Sequence, residues 1–312
     1  MQNNCKISIV SPVYKAEKIV DELVRRIKFE IEKITPDFEI ILVEDGSPDN
    51  SWSRIEANCQ KDSRVKGVKL SRNFGQHFSI SAGLEASVGD YVIVMDCDLQ
   101  DDPVYFSQMF LKAQKGAKIV YTFKKERKHG FFKNLKAKWF YTIFNFLVDN
   151  KTNKASENVG SYSLLSREVV DEYIRLNDYK RHYLMLLRWL GYRGVYVEIE
   201  HQKRFEGKSS YHFKKLIIHA IDGITSQSDK LLRLMAGFGF FMSFISLIVA
   251  LFVIIRYLIS PFKAGWASII VLILFVGGLT ILSIGICGIY IGRIFEQTKN
   301  RPLYIIDKKL NL

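Results

Sequence analysis

Residues 6–123 alternate between short, continuously apolar runs and stretches in which apolar residues recur with helical periodicity. The apolar runs KISIVSPVY, FEIILVE, VKGVKLS, DYVIVMD and AKIVYTF predict five strands. Helices are predicted between them over residues 16–34, 52–60, 76–87 and 104–115. Strands that are apolar on both faces and alternate with helices are typical of a mainly parallel sheet covered on both sides. The pattern therefore predicts an α/β fold.

Two longer apolar runs follow near the end of the chain. No charged residue occurs over 234–255 or over 264–292, and each run exceeds the roughly 20 residues that a membrane-spanning helix needs. Two buried helices of a soluble core are the alternative, but such helices usually keep a polar face. The sequence thus predicts a C-terminal two-helix transmembrane hairpin. The predicted organisation is a cytoplasmic domain (1–210), a juxtamembrane amphipathic helix (211–230), two spans (231–258 and 264–293) and a cytoplasmic tail (294–312).

Basic residues outnumber acidic ones, 45 Lys and Arg against 32 Asp and Glu, so the chain of 312 residues carries a formal net charge of +13. This excess indicates an anionic partner: nucleic acid, anionic lipid or a phosphorylated substrate. Lysines and arginines flank both outer ends of the predicted hairpin, whereas the connecting ISPFKAG segment holds a single lysine. By the positive-inside rule, both ends are expected to be cytoplasmic. This clustering beside the spans argues against nucleic-acid binding.

Two further stretches mix aromatic and aliphatic residues with lysines. They are FFKNLKAKWFYTIFNFLV at 131–148 and YHFKKLIIHAIDGI at 211–224. Such composition is typical of helices that lie in the lipid headgroup region. The alternative for each stretch is an ordinary amphipathic helix packed on the sheet.

The segment MDCDLQDDP, at residues 95–103, gathers acidic side chains directly after an apolar strand. Carboxylates at this spacing repel one another, so a divalent cation is expected to neutralise them. Asp96 and Asp98 point to the same face of an extended chain, and Gln100 could add a neutral oxygen. Oxygen ligands of this kind suit Mg²⁺ or Mn²⁺. The alternative is a solvated acidic loop with a helix cap at Asp101 or Asp102.

A second polar motif, Asp45-Gly46-Ser47, also follows a predicted strand. In parallel sheets ligands bind beyond the carboxyl ends of the strands, so the two motifs are expected to share one site. Neither the dinucleotide-binding fingerprint G-x-G-x-x-G nor a P-loop occurs, and after the first strand the chain reads SPVYKAEK. A nucleotide would have to be held in another way.

Taken together, SIVSPVYKAE, VEDGSPDNS, NFGQ, DCDLQDDP and RFEGKSSY resemble the inverting family-2 glycosyltransferases. More narrowly, they are similar to the polyprenyl-phosphate branch, which includes bactoprenol glucosyltransferases and dolichyl-phosphate mannose synthases. The resemblance covers nearly the whole chain. It implies a nucleotide-diphospho-sugar transferase domain of the GT-A type, followed by the pair of membrane spans.

The resemblance also implies roles for residues near the strand ends. Pro12, Tyr14 and Glu17 would border the nucleotide, in a segment PVYKAE that departs from the PxYNE of mannose synthases. Asp45 would hydrogen-bond the base. The DADLQ pattern of relatives places the metal and the donor diphosphate at Asp96, Asp98 and Gln100, with Cys97 in place of the alanine.

An R-x-x-G-x-S-x-Y loop closes over the donor phosphates in such relatives. The matching residues here are Arg204, Gly207, Lys208, Ser209 and Tyr211. A glycine-containing loop with arginine and lysine suits anionic oxygens, so Arg204 and Lys208 would stabilise the charge of the leaving group. The alternative is a basic loop attracted to anionic lipid.

Bactoprenol glucosyltransferases often carry an aspartate that is a candidate general base. Here Ser161 stands at that position, in ENVGSYSLL, and Glu157 is the nearest acid. A lipid phosphate is already anionic near neutral pH, so neither residue needs to act as a base.

The predicted function is inverting, metal-dependent transfer of a sugar, expected to be UDP-linked, to a polyprenyl phosphate such as undecaprenyl phosphate. The enzyme is expected in the bacterial inner membrane as a multi-pass protein that builds a lipid-linked sugar for cell-envelope glycans. Glycines in the second span would permit close helix contacts within the hairpin or in a homo-oligomer. A processive polysaccharide synthase is disfavoured because its Q-x-x-R-W motif has Met185 in place of the glutamine. A nucleotide-sugar sensor without turnover is the other alternative, and the intact acidic and basic motifs argue against it.

Overall fold

A computed structural model describes residues 5–124, 159–179, 181–200, 230–259 and 265–312. Contacts divide the chain into two units. The first comprises Met1–Tyr141, Lys151–Tyr211 and Arg301–Leu312, and the second comprises Thr142–Asn150 and His212–Asn300. The two predicted interfacial helices lie outside the described residues.

The first unit consists of strands and short helices. Its strands are β1 (Ile7–Val13), β2 (Phe38–Glu44), β3 (Val65–Leu70), β4 (Tyr91–Val94), β5 (Ile119–Lys124), β6 (Val159–Ser166), β7 (Gly194–Ile199) and β8 (Ile306–Leu310). Its helices are α1 (Val20–Ile31), α2 (Ser51–Lys61), α3 (Gln76–Ala86), α4 (Phe106–Gln114), α5 (Arg167–Arg175) and α6 (Tyr183–Trp189), with a 3-10 turn at Pro103–Tyr105. The second unit contains α7 (Lys230–Ile259) and α8 (Trp266–Thr298).

The described strands form one sheet in the order β7-β5-β6-β4-β1-β2-β3-β8. β1 lies between β2 and β4 and runs parallel to both, so that Ile7 pairs with Phe38 on one side and Tyr91 on the other. β3 and β7 also join the sheet through parallel pairs, whereas β6 and β8 are antiparallel to their neighbours. The prediction of an α/β fold with a mainly parallel sheet is confirmed.

Each face of the sheet is covered by its own hydrophobic core. Successive strand residues point to opposite faces, so Ile9 packs in the core that contains α1, α2 and α4, while Val10 packs in the core with α3, α5 and α6. Both side chains are fully buried. This two-sided burial explains why the strands are continuously apolar rather than alternating.

The helices follow the predicted amphipathic pattern. In α1 the buried residues recur at helical spacing: Val20, Leu23, Val24, Ile27 and Ile31. On the opposite side Glu22 forms ion pairs with Arg25 and Arg26. The helix ends at Ile31, three residues before the predicted end.

The C-terminal tail returns to the first unit and adds β8 to the sheet. β8 pairs antiparallel with β3, and the Asn311 side chain donates hydrogen bonds to the carbonyls of Cys59 (2.9 Å) and Val65 (2.8 Å). Leu310 packs against the core beside α1 and α2. No sequence pattern indicated this strand, which covers the edge that β3 would otherwise expose.

The second unit consists of long apolar helices in its described part. Among the described residues one segment, Phe275–Thr298 in α8, is long and apolar enough to cross a membrane, as judged by length and composition. Its apolar side chains are exposed, and Ile281 reaches 73%. α7 forms a helix over the first predicted span. The second membrane crossing, and with it the hairpin, stays a prediction.

Candidate active site

The order of the strands reverses beside β1. The chain moves from β1 to β2 and β3 on one side, and then returns to place β4 on the other side. Pairing between β1 and β4 ends at Val10 and Val94, whereas pairing between β1 and β2 continues to Val13 and Glu44. In open parallel sheets such a switch point is where ligands bind, beyond the carboxyl ends of the strands.

Three predicted site segments converge at this edge of the sheet. Tyr14 directly follows β1, Asp45 directly follows β2, and Asp96 lies two residues after the end of β4. The backbone N–H of Tyr14 lies near the Cys97 thiol, which places the first segment beside the third. The Tyr14 side chain is 44% exposed, so its ring is free to contact a ligand. Burial raises the pKa of Cys97 to about 12, which keeps the thiol protonated.

Asp96 is held by two neighbouring side chains. The Gln76 side-chain amide donates to Asp96 Oδ1 at 2.7 Å, and the Ser161 hydroxyl donates to the same oxygen at 2.9 Å. Desolvation by the surrounding protein raises the pKa of Asp96 to about 7, and the negative charges of Asp101 and Asp98 add to this effect. In the described part of the chain, no lysine or arginine forms an ion pair with Asp96. Within the described residues, the Asp96 carboxylate is therefore compensated by two neutral donors and by no basic side chain.

The turn after Asp96 has an uncommon backbone conformation. Asp98 Oδ1 accepts a hydrogen bond from the Gln100 N–H at 3.1 Å. Between them Leu99 has a positive φ of 58°, and its side chain is buried in the core. Left-handed backbone at a non-glycine residue is costly, and burial of the leucine side chain offsets the cost. The core thus fixes the turn that presents Asp98.

The two remaining acids of the motif, Asp101 and Asp102, lie at the start of the 3-10 turn that follows it. Asp102 caps the 3-10 turn, because its Oδ1 accepts a hydrogen bond from the Val104 N–H at 3.0 Å, and Pro103 follows it. The Tyr162 hydroxyl donates to the Asp102 carbonyl at 2.9 Å. Asp101 is buried beside them. The helix cap considered as an alternative is therefore present at Asp102, alongside the cluster of Asp96 and Asp98.

Asp45 lies in a different environment from Asp96. It is almost fully buried, and its two carboxylate oxygens accept hydrogen bonds from the N–H groups of Phe74 (2.7 Å) and Gly75 (2.9 Å). Desolvation raises the pKa of Asp45 despite these bonds. Asp45 therefore holds the 71–75 loop, which leads into α3 and to Gln76.

The loops that follow β1 and β2 are joined by hydrogen bonds. The Lys15 N–H donates to the Ser47 hydroxyl at 2.9 Å, and the Glu17 carboxylate accepts from the backbone N–H (3.3 Å) and side-chain amide (3.2 Å) of Asn50. Pro12 is buried within β1. In this structure Pro12 and Glu17 support the loop that carries Tyr14.

Two residues at the site were not assigned roles from the sequence. Gln76 was part of the NFGQ motif, and Ser161 was noted for replacing an acid. Gln76 and Ser161 are 85 residues apart in the sequence. They meet at Asp96 because β6 pairs with β4 and because α3 begins beside the same strand end. The one local signal was that Gln76 begins a helix directly after a glycine turn.

Several predicted residues lie outside the described part of the chain. They are Glu157 and the loop residues Arg204, Gly207, Lys208, Ser209 and Tyr211. Their roles stay predictions. Met185, which stands where a processive synthase would have glutamine, is buried in α6.

The carboxylates of the acidic turn are the side chains of the site that could bind a metal ion. No three His, Cys, Asp or Glu side chains of the described residues converge in a way that could hold a metal. The chemistry of Asp96 and Asp98 nevertheless fits a hard divalent cation, since both are carboxylates, the pKa of Asp96 is raised, and the two lie beyond the carboxyl end of β4. Such a cation would need further oxygen ligands from a substrate, as is common for Mg²⁺ bound with phosphates.

Comparison with known proteins shows which family the chain matches. Residues 8–174 match the family described as Glycosyl transferase family 2. The chain is 34% identical to the uncharacterized glycosyltransferase YkcC of Bacillus subtilis strain 168, over 100% of this chain and 96% of the relative. It is 36% identical to the bactoprenol glucosyl transferase of Shigella phage SfII, over 97% of this chain and 98% of the relative.

Solved structures also include similar chains. Glucosyl-3-phosphoglycerate synthase from Mycobacterium tuberculosis, in complex with phosphoglyceric acid, superposes with a TM-score of 0.49. The two sequences are 17% identical, and the match covers 73% of this chain and 81% of that chain.

Proposed function

The chain belongs to glycosyl transferase family 2, and on this premise we propose that it transfers a sugar from a nucleotide sugar to a polyprenyl phosphate at a membrane surface. The observation that carries the proposal is Asp96, whose pKa is raised by desolvation and by neighbouring carboxylates, and which lies with Asp98 at the switch point of the sheet. Similarity to bactoprenol glucosyl transferases over nearly the full length supports the acceptor.

Asp96 and Asp98 are the residues that would hold a divalent cation, Mg²⁺ or Mn²⁺, with Gln100 as a third oxygen ligand. When bound, such a cation stabilises the negative charge that develops on the departing diphosphate. Arg204 and Lys208 are proposed to add positive charge on the other side of the donor. Together these residues would lower the barrier for breaking the bond between sugar and phosphate.

The nucleotide is proposed to bind beside Tyr14, whose exposed ring can stack on a base. Asp45 would support this position through the 71–75 loop, because its oxygens accept hydrogen bonds from the N–H groups of Phe74 and Gly75. The proposed base is uracil, and the proposed donor is therefore a UDP-linked sugar.

The acceptor determines which proton transfers are needed. A lipid phosphate near neutral pH attacks through an oxygen that is already negatively charged, so no side chain has to remove a proton. Ser161 fits this requirement, because its hydroxyl already donates a hydrogen bond to Asp96. Attack opposite the diphosphate gives inversion at the sugar carbon.

We propose that the second unit anchors the enzyme in the bacterial cytoplasmic membrane, with the sheet domain in the cytoplasm. The apolar and exposed segment Phe275–Thr298 supports one crossing. The charge-free run at 234–255 supports a second, antiparallel crossing. This arrangement would keep the domain at the headgroup plane, where the phosphate of a polyprenyl lipid lies.

Radiolabelled transfer would test the proposal. The purified full chain in detergent is incubated with undecaprenyl phosphate, Mn²⁺ or Mg²⁺, and each of a panel of UDP-, GDP- and dTDP-sugars, with Asp98→Asn as the control. We expect an organic-extractable, acid-labile product from the wild type and none from the control. Donor binding without any lipid product would overturn the proposed acceptor.

A further inference from the structure

We infer that Gln76 and Ser161 are positioning residues that hold one carboxylate oxygen of Asp96, so that Asp96 presents its other oxygen to the divalent cation. The inference rests on the proposed function, because it concerns how the proposed metal ligand is oriented.

Both hydrogen bonds reach the same atom. Gln76 Nε2 lies 2.7 Å and Ser161 Oγ lies 2.9 Å from Asp96 Oδ1. A carboxylate oxygen has two lone pairs, so two donors occupy Oδ1 and leave Oδ2 for a ligand. Hydrogen bonds to an ionised acceptor are stronger than neutral ones, so this orientation is well held.

The first donor is carried by a fixed helix start. Gln76 is the first residue of α3, and Gly75 before it donates its N–H to the Asp45 carboxylate at 2.9 Å. The next turn of α3 is anchored by the fully buried side chain of Ile80. Asp45 therefore influences Asp96 through Gly75 and Gln76, which connects the two acidic motifs.

The second donor is carried by a strand with its own buried support. Ser161 lies in β6, which pairs with β4. The Ser163 hydroxyl donates to the Ser161 carbonyl at 2.9 Å and shares a hydrogen bond with the buried Tyr183 hydroxyl at 2.7 Å. β6 and α6 thus restrict the position from which Ser161 reaches Asp96. Outer partners that orient a metal ligand in this way typically change metal affinity by about 10- to 100-fold.

Direct metal binding tests the inference without depending on turnover. Free Mn²⁺ is measured by electron paramagnetic resonance while the purified full chain, in detergent with saturating UDP, is titrated. We expect Ser161→Ala and Gln76→Leu each to weaken Mn²⁺ binding about 10-fold, and the double variant about 100-fold. Ser161→Thr keeps a hydroxyl and should retain the wild-type affinity.

Matched substitutions on α2 control for composition and folding. Ser53 and Gln60 are exposed there, so Ser53→Ala and Gln60→Leu should leave Mn²⁺ affinity unchanged. In transfer assays the site variants should raise the KM for Mn²⁺ and recover most of their kcat at saturating metal. A general structural defect would instead lower kcat at every metal concentration.

The outcomes separate this inference from the function on which it rests. Equal Mn²⁺ affinity in the wild type, Ser161→Ala and Gln76→Leu would overturn the inference and leave the proposed reaction standing. A wild type that binds no Mn²⁺ in the presence of UDP would overturn the metal assignment and the inference together. Weakened binding in the variants, with no lipid product from the wild type, would support the inference and overturn the proposed acceptor.

Discussion

The two ends of the central sheet place acidic side chains in opposite electrostatic settings. At the amino ends of the strands Glu39 is almost fully buried and forms an ion pair with Lys66, with Nζ–Oε2 at 2.7 Å. It also accepts hydrogen bonds from the Ser8 hydroxyl (2.6 Å) and the Val88 N–H (2.8 Å). Burial alone would raise the pKa of Glu39, but these partners outweigh it and lower the pKa.

Asp62, in the loop before β3, has a similar setting. Hydrogen bonds from Arg64 lower its pKa well below the ordinary range, and Lys28 adds to the effect at 2.7 Å. At this end of the sheet Glu39 and Asp62 are therefore both neutralised by basic side chains of the same domain.

The carboxyl ends of the strands differ. The pKa values of Glu44, Asp45 and Asp96 are all raised, in each case mainly by desolvation. Asp45 is stabilised by backbone N–H groups, but Asp96 receives two neutral donors and faces other carboxylates. Glu39 and Asp62 at one end thus stabilise the fold, while Asp96 at the other end is suited to a positively charged ligand from outside.

Of the changes considered, removal of the divalent cation should have the largest effect on sugar transfer. EDTA is expected to abolish sugar transfer, because nothing in the acidic turn then offsets the charge of the diphosphate. Added Mn²⁺ or Mg²⁺ should restore it, while the unfolding temperature of the donor-free protein stays unchanged. Transfer that continues in excess EDTA would contradict the metal assignment.

Asp98→Asn should separate activity from stability. We expect kcat/KM to fall by about 10²- to 10³-fold, as when one electrostatic contact to a developing charge is lost. The unfolding temperature should stay the same or rise, because the substitution relieves repulsion with Asp96. Kinetics and thermal unfolding of the same preparation check both points. A lower unfolding temperature would contradict the conclusion that Asp98 serves activity and not stability.

Glu39→Gln should show the reverse behaviour. Breaking a buried ion pair typically costs about 3 kcal/mol, so stability should fall while kcat of the folded enzyme is retained. Because the folded-state pKa of Glu39 is lowered, its contribution is complete above the unfolded value of about 4.3 and is lost as the pH falls through the folded value. The difference from the wild type should therefore shrink below about pH 4.

Glu172→Gln is the matched control for Glu39→Gln. Glu172 forms an exposed pair with Arg175 on α5, and such pairs contribute less than about 1 kcal/mol. Denaturant unfolding followed across pH measures both variants. A similar loss of unfolding free energy in both variants would show that burial of Glu39 does not determine its contribution to stability.

Gly46→Ala should destabilise the fold by about 2 kcal/mol, less than Glu39→Gln. Gly46 has a φ of 60°, and an added Cβ would lie 2.4 Å from the Asn73 nitrogen and 2.5 Å from the Arg72 carbonyl carbon. The substitution would therefore strain the backbone and displace the loop held by Asp45. Gly116→Ala is the control, since Gly116 also has a positive φ but no atom near the added Cβ. Equal losses of stability for the two would show that the contact between the loops is unimportant.

The local elements of the sheet were readable from the sequence. β1 to β5 and the helices between them follow continuous apolar runs and helical periodicity, both of which are set by residues close in the chain. The predicted positions of Asp45 and Asp96 at strand ends follow from the same pattern. β8 was not readable, because its sequence IDKKL becomes a strand only beside the edge of β3.

The hydrogen-bond partners of each acid could not be predicted from local sequence patterns. For Asp45 the resemblance implied a contact with the base, which stays a prediction, whereas its hydrogen bonds from the N–H groups of Phe74 and Gly75 became visible only in the structure. The only local signal was the place of Gln76 at a helix start, and nothing in the sequence around Ser161 identified it as a partner of Asp96. Their roles depend on which strands are neighbours, and strand order is decided by long-range packing.

The sequence by itself determined the α/β alternation, the acidic turn after β4 and the apolar C-terminal runs, because each depends on side chains that are neighbours in the chain. Only the tertiary structure decided which acids are neutralised. Glu39 meets Lys66 and Asp96 meets Ser161 across intervals of 27 and 65 residues, and pairing of strands is what brings them together. Charge is compensated by whatever lies within a few ångströms, and that distance is set by the fold.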